Sequence, residues 1–200
     1  MKPPEKAFYL FKSPQVILSN LELIKGIGNK WSKAYYKYLI EPTYSNAGFL
    51  NGAERGIHLA ATYMRESKFE KLNRIMTSEL VEKIKNRMHE LPPDLVQEKL
   101  KFEQENIIHS FIHSTMLSSD RLMSLKGLAF YGTVVAFIDD MDRNSTSKKS
   151  LRQIIKSPNW LCCNVTFCRQ LDPPGIWKIT DINFFDKKLK EVNTDSPYIL

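Results

Sequence analysis

The stretch GAERGIHLAATYMRESKFEKLNRIMTSELVEKIKNRMHEL, from Gly52 to Leu91, decides how the rest of the chain must be arranged. Ile57, Ala60, Ala61 and Met64 recur at helical spacing, as do Leu72, Ile75 and Met76, and then Leu80, Val81, Ile84 and Met88. Ser67 interrupts the pattern before Lys68. Thr77-Ser78 offers a hydroxyl N-cap, with Glu79 and Glu82 in the first turn where acids complement the positive helix end. Leu91-Pro92-Pro93 closes the run, because proline cannot continue a helix. The spacing predicts three helical pieces in one layer with a single apolar side. Its residues are those of packing rather than of chemistry.

Four downstream runs could cover that side: 106–117 (NIIHSFIHSTML), 127–139 (GLAFYGTVVAFID), 159–170 (NWLCCNVTFCRQ) and 176–185 (IWKITDINFF). All are rich in β-branched and aromatic residues and bounded by turn-forming or charged ones. Helices first, then four strands with no helix between them, predicts an α+β fold with the amino-terminal helices packed on a curled four-stranded antiparallel sheet. Asp172-Pro173-Pro174-Gly175 reads as the turn joining the last two strands, with Gly175 expected at a left-handed corner. Cys162, Cys163 and Cys168 fall in one strand, where no pair can close a normal disulfide, so reduced, buried thiols are expected.

Two hundred residues, 42% of them hydrophobic, suit one domain with a real core. The formal net charge of +7 is concentrated early, with seven lysines against three acids in residues 1–50. That excess suits an anionic partner, lipid headgroups or RNA, or simply solubility. No run of about 18 apolar residues is present to span a bilayer. Phosphate-loop, dinucleotide, zinc-protease and serine-hydrolase motifs are absent, and the sequence assigns no catalytic set, no metal ligands and no cofactor. His109 and His113, four apart in a strand, are about 13 Å distant and too far to share an ion. His58 and His89 stand alone on helices. Asp139, Asp140 and Asp142 read as a solvated strand end rather than a calcium loop. The long connection 140–158 carries Lys148, Lys149, Arg152 and Lys156, a basic patch expected to face a partner.

Residues 1–46 read as a basic, amphipathic helical segment and linker, 47–190 as the folded domain, and 191–200 as a tail. Met1–Ser13 shows no regular pattern and is neither a secretory signal nor a transit peptide. Within 14–40 one stripe contains Val16, Ile17, Leu21 and Ile24 and continues through Trp31, Tyr35, Tyr38 and Leu39, while Lys25, Lys30, Lys33 and Lys37 fill another side. Such a helix either packs its stripe on the domain or lays it on a membrane, with Lys25, Lys30, Trp31, Lys33 and Lys37 against anionic headgroups.

From about Tyr35 to Leu189 the chain resembles the Tim-forty-four-like domain family, on an NTF-two-like cone plan. The resemblance lies in Tyr35-Tyr36 and Leu39-Ile40, in Phe49-Leu50-Asn51-Gly52-Ala53-Glu54, and in Lys68-Phe69 with Leu72. It continues in Leu80 through Lys83, Leu91-Pro92, and Ile176-Trp177-Lys178-Ile179 with Ile182. These are packing and turn residues, so they bear on fold more than on activity. The resemblance implies a non-enzymatic protein of the mitochondrial matrix, peripheral on the inner membrane. It would bind m-AAA protease subunits and assist imported inner-membrane clients such as the small regulator of the calcium uniporter. Relatives tether the large mitochondrial ribosomal subunit, which is the alternative function. A third reading, a small-ligand binder or enzyme of the cone fold, would draw on His109, His113, Tyr131 and Asp139.

Overall fold

The structure, a computed structural model, describes residues 8–11, 30–118, 127–139 and 160–186. A helical segment α1 (30–40) comes first, its last turn, Tyr36–Ile40, wound as a π-helix. It is followed by α2 (Asn46–Arg65), α3 (Phe69–Ile75), α4 (Ser78–Glu90) and α5 (Pro93–Lys99). Four strands come next: β1 (Ile107–Ser118), β2 (Ala129–Asp139), β3 (Trp160–Gln170) and β4 (Lys178–Asp186). They pair antiparallel in the order β1-β2-β3-β4, so the sheet is open and the fold is α+β.

Ser45 starts α2 by accepting a hydrogen bond at Oγ from the Gly48 N–H at 3.0 Å. The stripe Ala53, Ile57, Ala60, Ala61 and Met64 is buried, and each large side chain removed from water contributes on the order of 2 kcal/mol. Ser67 ends the helix in a left-handed conformation, φ 54°. Two boundaries correct the sequence reading. Thr77 precedes α4, but its hydroxyl makes no capping bond; its N–H donates to the Ile179 carbonyl at 3.0 Å and ties the helix to β4. The prolines end α4 and then begin α5, with Pro93 in its first turn, where the missing N–H costs nothing. Gln97 Nε2 closes the layer by donating to the Arg65 carbonyl at 2.8 Å, at the end of α2.

The helices cover one face of the sheet. Phe130, Val134, Ala136 and Ile138 of β2 point toward them, with Leu161, Cys163, Val165 and Phe167 of β3 and Ile179, Ile182 and Phe184 of β4. Two glycines let α2 lie close: a Cβ at Gly132 would come within 2.7 Å of the Phe49 ring, and one at Gly56 within 3.0 Å of the Phe167 ring. On the opposite face Val135, Phe137, Trp160, Cys162 and Phe185 form a second buried cluster. The three cysteines are free and buried, Cys162 and Cys163 on opposite faces. Gly175 is not left-handed as expected; the corner contains a cis Asp172–Pro173 peptide, and the Gly175 N–H donates to the Gln170 carbonyl at 2.9 Å.

Residues 8–11 belong to this architecture, a correction to their irregular reading. Tyr9 bridges Phe185 antiparallel, and the Leu10 N–H donates to the Phe184 carbonyl at 2.8 Å. Phe8 and Leu10 are fully buried. Arg87 of α4 clamps the segment from above, donating from Nε to the Leu10 carbonyl at 2.7 Å and stacking its guanidinium 5.3 Å from the Tyr9 ring centre.

Candidate functional site

The amphipathic pattern of α1 is turned outward. Trp31, Tyr38 and Leu39 are 74%, 76% and 66% exposed, and Tyr35 of the same stripe lies at the surface. The side chains that hold the helix are the two between them in the sequence pattern, Ser32 and Tyr36, at 6% and 0%. Ser32 Oγ donates to the Thr115 carbonyl at 3.2 Å. The Tyr36 ring stacks on Phe130 at 4.4 Å and meets Tyr44 edge-on at 5.1 Å. Its hydroxyl donates to Glu41 Oε2 at 2.5 Å, and Arg169 Nη1 donates to the same carboxylate at 2.5 Å and to the Tyr36 hydroxyl at 2.8 Å. Burial, then the bond to Glu41, pushes the Tyr36 hydroxyl well above the ordinary tyrosine range, so it remains a donor. Arg169 Nε is fixed by the Gly175 carbonyl at 2.9 Å. This latch joins α1, the linker and β3 across 128 residues, a separation that explains why no local motif announces it.

Lys30 and Lys37 are exposed beside the aromatic stripe, and Lys37 Nζ lies 6.0 Å from the Tyr38 ring centre. Lys33 is half-buried, and that burial lowers its pKa. Lys25, and the patch Lys148, Lys149, Arg152 and Lys156, lie outside the described residues. So do Asp140, Asp142 and the tail 191–200. No described helix is long and apolar enough to cross a membrane.

Below the latch a cavity of about 250 Å³ opens between the 41–45 linker, the first two turns of α2 and the sheet. Tyr44, Phe49, Phe167 and Trp177 supply its aromatic wall, Gly48, Gly52 and Ala53 its small-residue side, and Glu41 a carboxylate. The residues considered for an enzymatic reading are not gathered there. Tyr131 and Asp139 both lie on the sheet face away from the helices, eight residues apart along β2, or about 26 Å. His109 pairs opposite Phe137 on β1. His58 is held by the Phe102 carbonyl at 3.1 Å. Among the described residues no group of three or more His, Cys, Asp or Glu side chains is placed to hold a metal. Burial raises all three thiols, Cys168 to about 11, so they stay protonated and unreactive. The outward turn of the α1 stripe is one of the two arrangements its pattern allows; the cavity was not foreseen from sequence, where Tyr44, Phe49 and Trp177 around Gly48 and Gly52 stand only as scattered aromatics. Comparison of the chain with family models, curated proteins and solved structures finds no match to any of them.

Proposed function

We propose that this protein is a non-enzymatic adaptor that rests on an anionic membrane surface through α1, its scaffold an NTF-two-like cone of the Tim-forty-four-like kind. One observation carries the reading. A helix latched to the core by Tyr36 and Ser32 presents Trp31, Tyr35, Tyr38 and Leu39 to solvent, flanked by Lys30 and Lys37. A packing helix would bury that stripe, as α2 and α4 bury theirs. Indole and phenol rings suit the boundary between headgroups and acyl chains, and ammonium groups suit anionic lipid. Seven lysines in the first fifty residues add to the same attraction.

In this reading the membrane is the mitochondrial inner membrane seen from the matrix, with m-AAA protease subunits as partners and imported inner-membrane proteins, the small calcium-uniporter regulator among them, as clients. These assignments rest on the family resemblance. Affinity capture of the tagged full chain from matrix and inner-membrane extract, followed by identification of the recovered proteins, tests them. Recovery of the AAA protease supports the adaptor. Recovery of large-subunit ribosomal proteins in its place makes the protein a ribosome tether. Recovery of neither removes the mitochondrial reading.

A further inference from the structure

We propose that the cavity beside α2 is a binding site for a small organic cation, an alkylated ammonium group of the trimethylammonium type. Three features of the cavity lead there. Its wall is aromatic: Phe49 lies 6.1 Å from Tyr44, 5.2 Å from Trp177 and 5.9 Å from Phe167, at interplanar angles of 45°, 51° and 80°. All four rings line the cavity, and aromatic rings attract cations through their quadrupoles. Its acid is half free: Tyr36 and Arg169 both bond to Glu41 Oε2, while Oε1 has no partner among the described residues. Its size is small: about 250 Å³ lies below the roughly 300–1,000 Å³ that drug-sized ligands occupy, and suits a compact headgroup.

Arg169 bonds Glu41 through Oε2, with Nε held by the Gly175 carbonyl and Nη1 also donating to the Tyr36 hydroxyl. Its charge offsets part of the carboxylate's, so the rings supply most of the discrimination. A cation should therefore bind about tenfold more tightly than a neutral group of the same shape. The site is independent of the membrane reading of α1, because it is tested in solution without anionic lipid.

The experiment is isothermal titration calorimetry of the full chain with choline, tetramethylammonium and 3,3-dimethyl-1-butanol, the neutral carbon analogue of choline. The blocking variant is Gly52→Leu. Gly52 lines the cavity, and a Cβ there meets nothing within 4 Å, so the fold accepts the substitution and the helix gains propensity. Circular dichroism of the variant verifies that it is folded. Saturable binding of choline, at least about tenfold weaker binding of the butanol, and loss of choline binding in Gly52→Leu are expected. A second arm uses dodecylphosphocholine micelles. Binding of micelles but not free choline, lost in Gly52→Leu, assigns the cation to a lipid headgroup and supports the proposal. Equal binding of choline and the butanol overturns it, as does cation binding unaffected by Gly52→Leu, and as does no binding in either arm.

Discussion

Replacing Tyr36 by alanine and Trp31 by serine separates anchoring from display on one helix. Tyr36 is fully buried, stacked on Phe130 at 4.4 Å and bonded to Glu41 and Arg169. Truncating an aromatic side chain in such a site costs about 3–5 kcal/mol, the transfer loss plus the cavity left behind. The Arg169–Glu41 pair survives the change, so no additional charge is orphaned. Trp31 is 74% exposed, and substitutions of that kind move stability by no more than about 0.5 kcal/mol. The two variants should therefore differ by at least about 2.5 kcal/mol. For a chain of this size that corresponds to a Tm difference of about 5–10 °C. Urea unfolding followed by circular dichroism on the full chain reads the difference as a shift in midpoint at unchanged slope. If Trp31→Ser loses as much stability as Tyr36→Ala, the stripe is packed rather than displayed and the reasoning about α1 fails.

Three further outcomes follow from the same packing. Gly132→Ala forces a Cβ within 2.7 Å of the Phe49 ring, and urea unfolding should show a loss of about 1–3 kcal/mol; an unchanged midpoint would mean that α2 does not lie so close. Ser67→Gly relieves a left-handed residue with φ 54° and should gain up to about 1 kcal/mol in the same assay. Burial raises the native pKa of Tyr44 to about 12 and of Cys168 to about 11, with Cys162 and Cys163 raised as well. Groups raised in the native state hold their full contribution below the unfolded pKa and lose it as pH climbs through the native one. These groups should thus leave stability unchanged to about pH 8.5 and lower it between there and pH 12, while Ellman's reagent finds no reactive thiol in the native protein below that range.

The fold was legible where one pattern had one consequence. The buried stripes of α2 and α4 are those their spacing names, and each apolar run downstream became a strand. Periodicity alone could not decide α1, because Trp31, Tyr35, Tyr38 and Leu39 mark an apolar face without saying which way it turns. That direction is set by Tyr36 and Ser32, whose partners Glu41, Arg169 and Thr115 include two that lie 83 and 133 residues away. The edge position of residues 8–11 was hidden for the same reason: its pairing is with β4, and its clamp is Arg87. α5 was missed because Pro92-Pro93 was read only as a stop, although proline also suits a first turn. The cavity depends on Phe49 of α2, Phe167 of β3 and Trp177 just before β4 meeting in space, which no local window contains.

Sedimentation of the full chain with vesicles tests the account most directly, using anionic and neutral bilayers and the variant Trp31→Ser/Tyr38→Ser. Inserting the two exposed rings part-way into the interface contributes at least about 2 kcal/mol, or about thirtyfold in partitioning. The native chain should sediment with anionic vesicles and much less with neutral ones, added salt should weaken the binding, and the folded variant should lose at least about thirtyfold. A variant that sediments as the native chain does, or a native chain indifferent to lipid charge, would contradict it.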